Sequence, residues 1–259
     1  MSKKLGFALG TGGARGTAHV GFLQAMEENG VKPDYVTGCS MGSIVGAAYC
    51  AGVPLHTIQA AIRGLRLFHL ILPTAKKGGL FETRKVRHIL QHYIGDLDFK
   101  DLQIPFRCVA VDMKTQRLIE FSEGSVLDAI IASSSIPSIF CPLEKDGMRL
   151  VDGGVLERVP VEQVKNMGAD VVIAVDVLGS LNCKEEMPGT IGILLETLDI
   201  MDNYRTQRRR KENQDIIDLW LEPDLGGMSQ YTFKNFDFAM GKGYEIGIEH
   251  VETILKLIE

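Results

Sequence analysis

Tyr35-Val36-Thr37-Gly38-Cys39-Ser40-Met41-Gly42-Ser43-Ile44-Val45-Gly46 is the stretch whose reading decides the fold. A β-branched and aromatic run meets a turn of small residues, and a helical run opens at once. The turn is spelled Gly-x-Ser-x-Gly, as Gly38-Cys39-Ser40-Met41-Gly42. A turn this tight between strand and helix brings backbone to where a Cβ would collide, so the glycines have a steric purpose. Such an elbow lifts the Ser40 hydroxyl out of the sheet and directs the N-terminus of the next helix at it. The pentapeptide by itself also describes an ordinary small-residue turn. Its strand–turn–helix setting favours a nucleophile.

Upstream, Leu5-Gly6-Phe7-Ala8-Leu9 reads as a short buried strand that runs into Gly10-Thr11-Gly12-Gly13-Ala14-Arg15-Gly16. A helical pattern follows on Ala18, Val20, Phe22, Leu23 and Met26, completing the front half of an α/β unit. A phosphate-binding Walker loop needs Gly-Lys-Ser/Thr at its end, and this loop ends Ala-Arg-Gly-Thr. A dinucleotide fingerprint fails at its sixth position, Arg15, and Asp34 precedes its strand where that motif wants an acid closing one. Two readings remain: a plain tight turn, or backbone N–H groups aimed at an oxyanion. The nearby elbow favours the second.

The chain has 259 residues, enough for a large core, with 45% hydrophobic and 24% charged residues and a net charge of −5. That balance argues against a nucleic-acid binder with a broad basic face. Cys39, Cys50, Cys108, Cys141 and Cys183 are scattered, with no C-x-x-C pair. They suit a reducing compartment and suggest no metal site. No apolar run is long enough for a signal core or a membrane span, so a soluble, cytoplasmic protein is expected.

Further along, helices are expected over 44–50 and 55–63, over Glu82–Tyr93, over Val126–Ser133, over Val161–Asn166 and over Ile191–Lys211, with a closing helix over Tyr244–Ile258. Strands are expected over Pro105–Asp112, Arg117–Phe121, Arg149–Asp152, Asp170–Asp176 and Ile216–Pro223, and an extended proline-marked segment over Ile136–Leu143. Residues 55–80 are apolar and then basic, ending Lys76-Lys77-Gly78-Gly79. They read either as a cover over a lipid-binding cleft, touching a membrane surface transiently, or as a core helix with a solvated loop. Arg208-Arg209-Arg210-Lys211 reads as a solvated face at a helix C-terminus. No repeat or linker divides the chain, and one domain over 1–259 is expected.

Asp152 ends a short apolar run and is followed by Gly153 and Gly154. Asp-Gly is most often a turn; opposite a serine elbow and a glycine loop, a catalytic acid is favoured. A Ser/His/Asp triad needs a late histidine on a loop. His19, His56, His69, His88, His92 and His250 fall on helical patterns or in the 55–80 region. A Ser40/Asp152 dyad remains, and Asp152 needs shielding from solvent to become basic enough.

Gly12-Gly13-Ala14-Arg15-Gly16, Gly38-Cys39-Ser40-Met41-Gly42 and Asp152-Gly153-Gly154, in this order, resemble the patatin-like phospholipase family in its compact bacterial form. The likeness extends through Thr17–Gly21, Ala132–Pro137 and Pro223-Asp224. It implies a three-layer α/β/α fold with a mostly parallel central sheet, and a serine lipid acyl hydrolase without cofactor or metal. By position, Ser40 would be the nucleophile and Asp152 the base. Gly12, Gly13 and Ala14 would form the oxyanion hole, and Arg15 would support the loop or an anionic headgroup. Gly38, Gly42, Gly153 and Gly154 would support the site. A non-catalytic lipid-binding or regulatory protein on the same fold is the alternative. The chain departs from the family at Thr11, where a fourth glycine is frequent, and at Glu157-Arg158, where relatives often carry Asn.

Overall fold

Every residue of Leu5–Leu9, the first strand (β1), is buried. Its side chains alternate between two packed faces. Leu5, Phe7 and Leu9 join one apolar cluster, while Ala8 joins another with Val159, Val161 and Val164. A strand covered on both faces belongs in the middle of a three-layer structure. The computed structural model describes residues 3–64, 78–179, 189–232 and 234–259, and it has that architecture.

The remaining strands are β2 (Tyr35–Gly38), β3 (Gly79–Phe81), β4 (Phe106–Asp112), β5 (Arg117–Phe121), β6 (Ser138–Phe140), β7 (Leu143–Lys145), β8 (Met148–Asp152), β9 (Val171–Val175) and β10 (Leu219–Leu221). The helices are α1 (Ala18–Glu28), α2 (Met41–Cys50), α3 (Leu55–Gly64), α4 (Arg84–Ile94), α5 (Val126–Ser133), α6 (Val161–Asn166), α7 (Gly189–Glu212) and α8 (Phe236–Ile258). Among the described residues, eight strands form one sheet in the order β10-β9-β1-β2-β4-β8-β7, with β5 also on β4. From β10 to β4 all pairings are parallel; β5, β7 and β8 add antiparallel ones. No described helix is long and apolar enough to cross a membrane.

α1, α2 and α8 cover the face of Phe7, while α6 packs on the face of Ala8. The closing helix starts at Phe236, eight residues before the expected Tyr244. Its glycines weaken helix propensity, which hides this first part from the sequence. Packing explains them: a Cβ on Gly243 would lie 1.8 Å from the Ala18 carbonyl oxygen, so α8 crosses α1 only with glycine there. The segment expected to be extended, 136–143, contains β6 and the start of β7, and β6 pairs with β3 in a separate two-stranded sheet. The last sheet strand is three residues long, shorter than the expected 216–223.

Helix α7 confirms the expected long helix and extends it slightly. Its basic end is more than a solvated face. Arg209 reaches Glu157 and Glu162, and Arg210 pairs with Glu222 while lying over the Trp220 ring. Of the segment expected as a cover, α3 is described as a packed helix, while 65–77 lie outside the described residues, as does Cys183.

Candidate active site

Sheet register brings Ser40 and Asp152 together. Gly38, the last residue of β2, sits opposite Cys108 of β4, and Asp152, the last of β8, sits opposite Ala110. The C-terminal ends of β2 and β8 therefore meet over the middle of β4. Ser40 emerges two residues past Gly38, close enough to the Asp152 carboxyl for its side chain to lower that carboxyl's pKa. β1 and β9 end alongside, Leu9 pairing with Gly38 on one side and Val175 on the other. The glycine loop thus starts next to the elbow, at the carboxyl ends of parallel strands where α/β sheets place their ligands.

Ser40 has φ 52° and ψ −121°, a left-handed conformation that costs a non-glycine residue of order 1–3 kcal/mol. The neighbourhood holds it there. Its N–H donates to Ser133 Oγ at 2.9 Å, and its carbonyl accepts from Ser43 Oγ at 2.7 Å. Gly42 lets the elbow nest against β1, since a Cβ there would lie 2.2 Å from the Leu9 carbonyl oxygen.

Asp152 is buried, with Oδ1 accepting from the Gly154 N–H at 2.8 Å and the Cys39 thiol 3.8 Å away. Burial pushes its pKa up to about 6, partly offset by the donors Ser40, Gly154 and Cys39. The shielding that a basic carboxylate needs is thus present.

Gly13 carries φ +49°, and a Cβ there would meet the Gln230 carbonyl oxygen at 2.3 Å. Among the described residues, no backbone partner takes the N–H groups of Gly12 or Gly13, and Gly13 lines the cleft with Ser40. Ala14 differs from the expectation. Its N–H donates to the Gln230 carbonyl at 2.9 Å, so it anchors the loop and is not free to meet an oxyanion. Arg15 is also resolved in one direction. Its buried guanidinium donates to the carbonyls of Val177 (2.8 Å), Met228 (3.1 Å), Gly226 (3.3 Å) and Leu178 (3.4 Å), which supports the loop and leaves it out of reach of a headgroup.

Several residues that the motifs do not announce hold this arrangement. His19 Nε2 donates to the Gly10 carbonyl at 2.7 Å, and burial lowers its pKa to about 4, so the ring is a neutral brace for the loop. Arg158 is fully buried and bidentate to Asp176, at 2.8 Å to each oxygen, while its own carbonyl accepts the Thr11 N–H at 3.0 Å. Asp199 accepts from Gln230 Nε2 and Tyr231 Oη, both at 2.7 Å, steadying the segment that holds Ala14. Only the early placement of His19, immediately after the loop, is a sequence signal for any of them. Among the described residues no cluster of acids, histidines and cysteines has metal-binding form.

Ser40 and Gly13 open into an apolar cleft. Its walls are Met41 and Ile44 of α2, Ile58 and Ile62 of α3, and Val86, Ile89 and Leu90 of α4, with Ile136 and Phe140 beyond. The helix expected over Glu82–Tyr93, α4, is thus a wall of the site. An aliphatic chain fits such a lining; a charged or sugar-like ligand does not.

An α/β/α sheet with a strained serine at its strand ends and an apolar cleft beside it defines the structural class. Comparison with known proteins narrows it. Residues 7–165 match the sequence profile described as patatin-like phospholipase, and the chain belongs to that family. An uncharacterized NTE family protein of Mycobacterium tuberculosis is 34% identical over 182 residues, covering 69% of this chain and 50% of that protein. Neuropathy target esterase sws of Drosophila melanogaster is 28% identical over 97% of this chain and 20% of its own length. Lysophospholipase nte1 of Aspergillus fumigatus is 27% identical, with 97% and 18% coverage. The chain therefore spans about half the length of the mycobacterial relative and about a fifth of the fly and fungal ones. In fold, VipD of Legionella pneumophila superposes with a TM-score of 0.70 at 13% identity, over 98% of this chain and 67% of that one. ExoU in complex with SpcU from Pseudomonas aeruginosa gives 0.52 at 15% identity, over 99% and 52%.

Proposed function

We propose that this chain is a serine lipid acyl hydrolase that cleaves carboxylic esters through an acyl-enzyme. The observation that carries this is Ser40, held in a strained elbow against a buried Asp152 at the inner end of an apolar cleft. Asp152, with a pKa near 6, is ionised at neutral pH yet basic enough to take the Ser40 proton as Oγ attacks the ester carbonyl. The N–H groups of Gly12 and Gly13 are the donors for the oxyanion that forms. Protonated Asp152 then gives its proton to the departing alcohol. Water, deprotonated by the same carboxylate, releases the acid from Ser40. The acyl chain occupies the cleft between α3 and α4. The names of the esterase and lysophospholipase relatives support a lipid ester as substrate.

The test is hydrolysis of p-nitrophenyl esters of increasing acyl length by the wild-type, Ser40→Ala and Asp152→Asn proteins. Turnover should vanish with Ser40 and nearly vanish with Asp152→Asn, and longer acyl chains should be preferred to acetate. Bound lipid without Ser40-dependent turnover would instead favour a lipid-binding or regulatory role.

A further inference from the structure

Helix α7 reaches the Asp152 turn through Arg205. Arg205 Nη2 donates to the Gly154 carbonyl at 2.6 Å and to Asp202 Oδ1 at 2.6 Å. Asp202 in turn faces Arg158 Nη1 at 3.3 Å, and Arg158 is clamped on Asp176 at the end of β9. Gly154 is therefore gripped twice. Its N–H holds the Asp152 carboxylate, and its carbonyl is held by a cation that a buried chain of charges keeps in place. A half-broken network of this kind is costly, because removing one member strands a buried charge.

We propose that Arg205, set by Asp202, is the positioning residue for the base of the proposed hydrolase: it fixes the Asp152-Gly153-Gly154 turn so that the carboxylate faces Ser40. The inference rests on the hydrolase reading of the site. Arg205 touches neither substrate nor the reacting atoms. It acts through the Gly154 carbonyl, and its effect falls on the chemical steps more than on binding of the acyl chain, since neither Arg205 nor Gly154 lines the cleft.

Charged and titratable groups around Asp152 are few. The Cys39 thiol lies on the elbow, Tyr231 on the segment beside the glycine loop, and Asp202 with Arg205 on α7; Arg158 pairs with Asp176 and Asp202, and Glu157 with Arg209. The Gly154 N–H stabilises the carboxylate, whereas the Asp202 charge opposes it. Losing Arg205 loosens the first influence, which raises the pH at which Asp152 ionises. Losing the Asp202 charge lowers it. The two substitutions move the acid limb of the pH–rate profile in opposite directions, which a general loss of rigidity does not do.

The experiment compares kcat, KM and the pH dependence of kcat/KM for wild type, Arg205→Ala, Arg205→Lys and Asp202→Asn, with thermal unfolding of each and Arg208→Ala as a control one turn away. For Arg205→Ala, kcat should fall about 100-fold, the cost of a misplacement near 1 Å, with KM little changed. Its acid limb should move to higher pH, and Arg205→Lys should recover part of both. Asp202→Asn should move the limb to lower pH. Wild-type kcat and pH profile in Arg205→Ala would overturn the proposal, as would a loss of rate with an unmoved limb and no recovery in Arg205→Lys. Turnover surviving Ser40→Ala would sink the hydrolase reading instead, whatever Arg205 does.

Discussion

Glu157 is a residue whose replacement should change how stability responds to pH. It is 3% exposed, its Oε2 has no hydrogen-bond partner, and the nearest cation, Arg209, is 3.3 Å away. Burial, aided by the Glu162 and Asp202 charges, raises its pKa from 4.5 to about 7 against the pull of Arg209 and Arg205. The folded protein thus holds this proton more tightly than the unfolded chain does. Folding gains stability as pH falls from about 7 to 4.5 and loses it as pH rises through the same window. At roughly 1.4 kcal/mol per pH unit, the full penalty above pH 7 is about 3 kcal/mol, and less than about 1 kcal/mol of it is present at pH 5. Glu157→Gln keeps the shape and removes the charge. Measured by urea denaturation with Trp220 fluorescence, the gain of the variant over wild type should be about 2 kcal/mol larger at pH 8 than at pH 5. Taking the difference between the two pH values cancels any pH-independent effect of the amide. Equal differences at both pH values would refute the reasoning, and a larger gain at pH 5 would reverse its sign.

Two further outcomes follow from the site. In the proposed mechanism Asp152 acts as base only when ionised, and burial pushes its pKa up to about 6, so kcat/KM for a soluble ester should fall tenfold per pH unit well below that value, with a plateau above it; a profile flat down to pH 4 would remove Asp152 from the role. Gly13→Ala forces a Cβ to within 2.3 Å of the Gln230 carbonyl oxygen at φ +49°. Initial rates should drop by about 100-fold or more as the loop N–H shifts, alongside a lower melting temperature.

The elbow, the glycine loop and the Asp-Gly-Gly turn were legible in the sequence because each is a local constraint. A strand must stop, the chain must turn within a few residues, and only small residues fit, so the reason for each residue lies next to it in the chain. The alternation of buried strands and helical runs made an α/β chain legible, while the parallel order of the sheet's centre was expected from the family resemblance. Ala14, Arg15, Glu157 and Arg158 were not. Ala14 is an anchor because Gln230 approaches it, and Arg15 faces inward because four carbonyls from two distant segments converge on it. Helix α7 read as a long helix with a solvated basic end, yet its Asp199, Asp202 and Arg205 brace both sides of the site. α4 read only as a helix, yet its apolar side walls the cleft. A hydrogen bond or ion pair between segments tens of residues apart leaves no periodicity in either one. What the sequence alone determined is the chemistry offered at the strand ends. Which groups are spent on structure, and which remain free to act, was decided only when packing chose their partners.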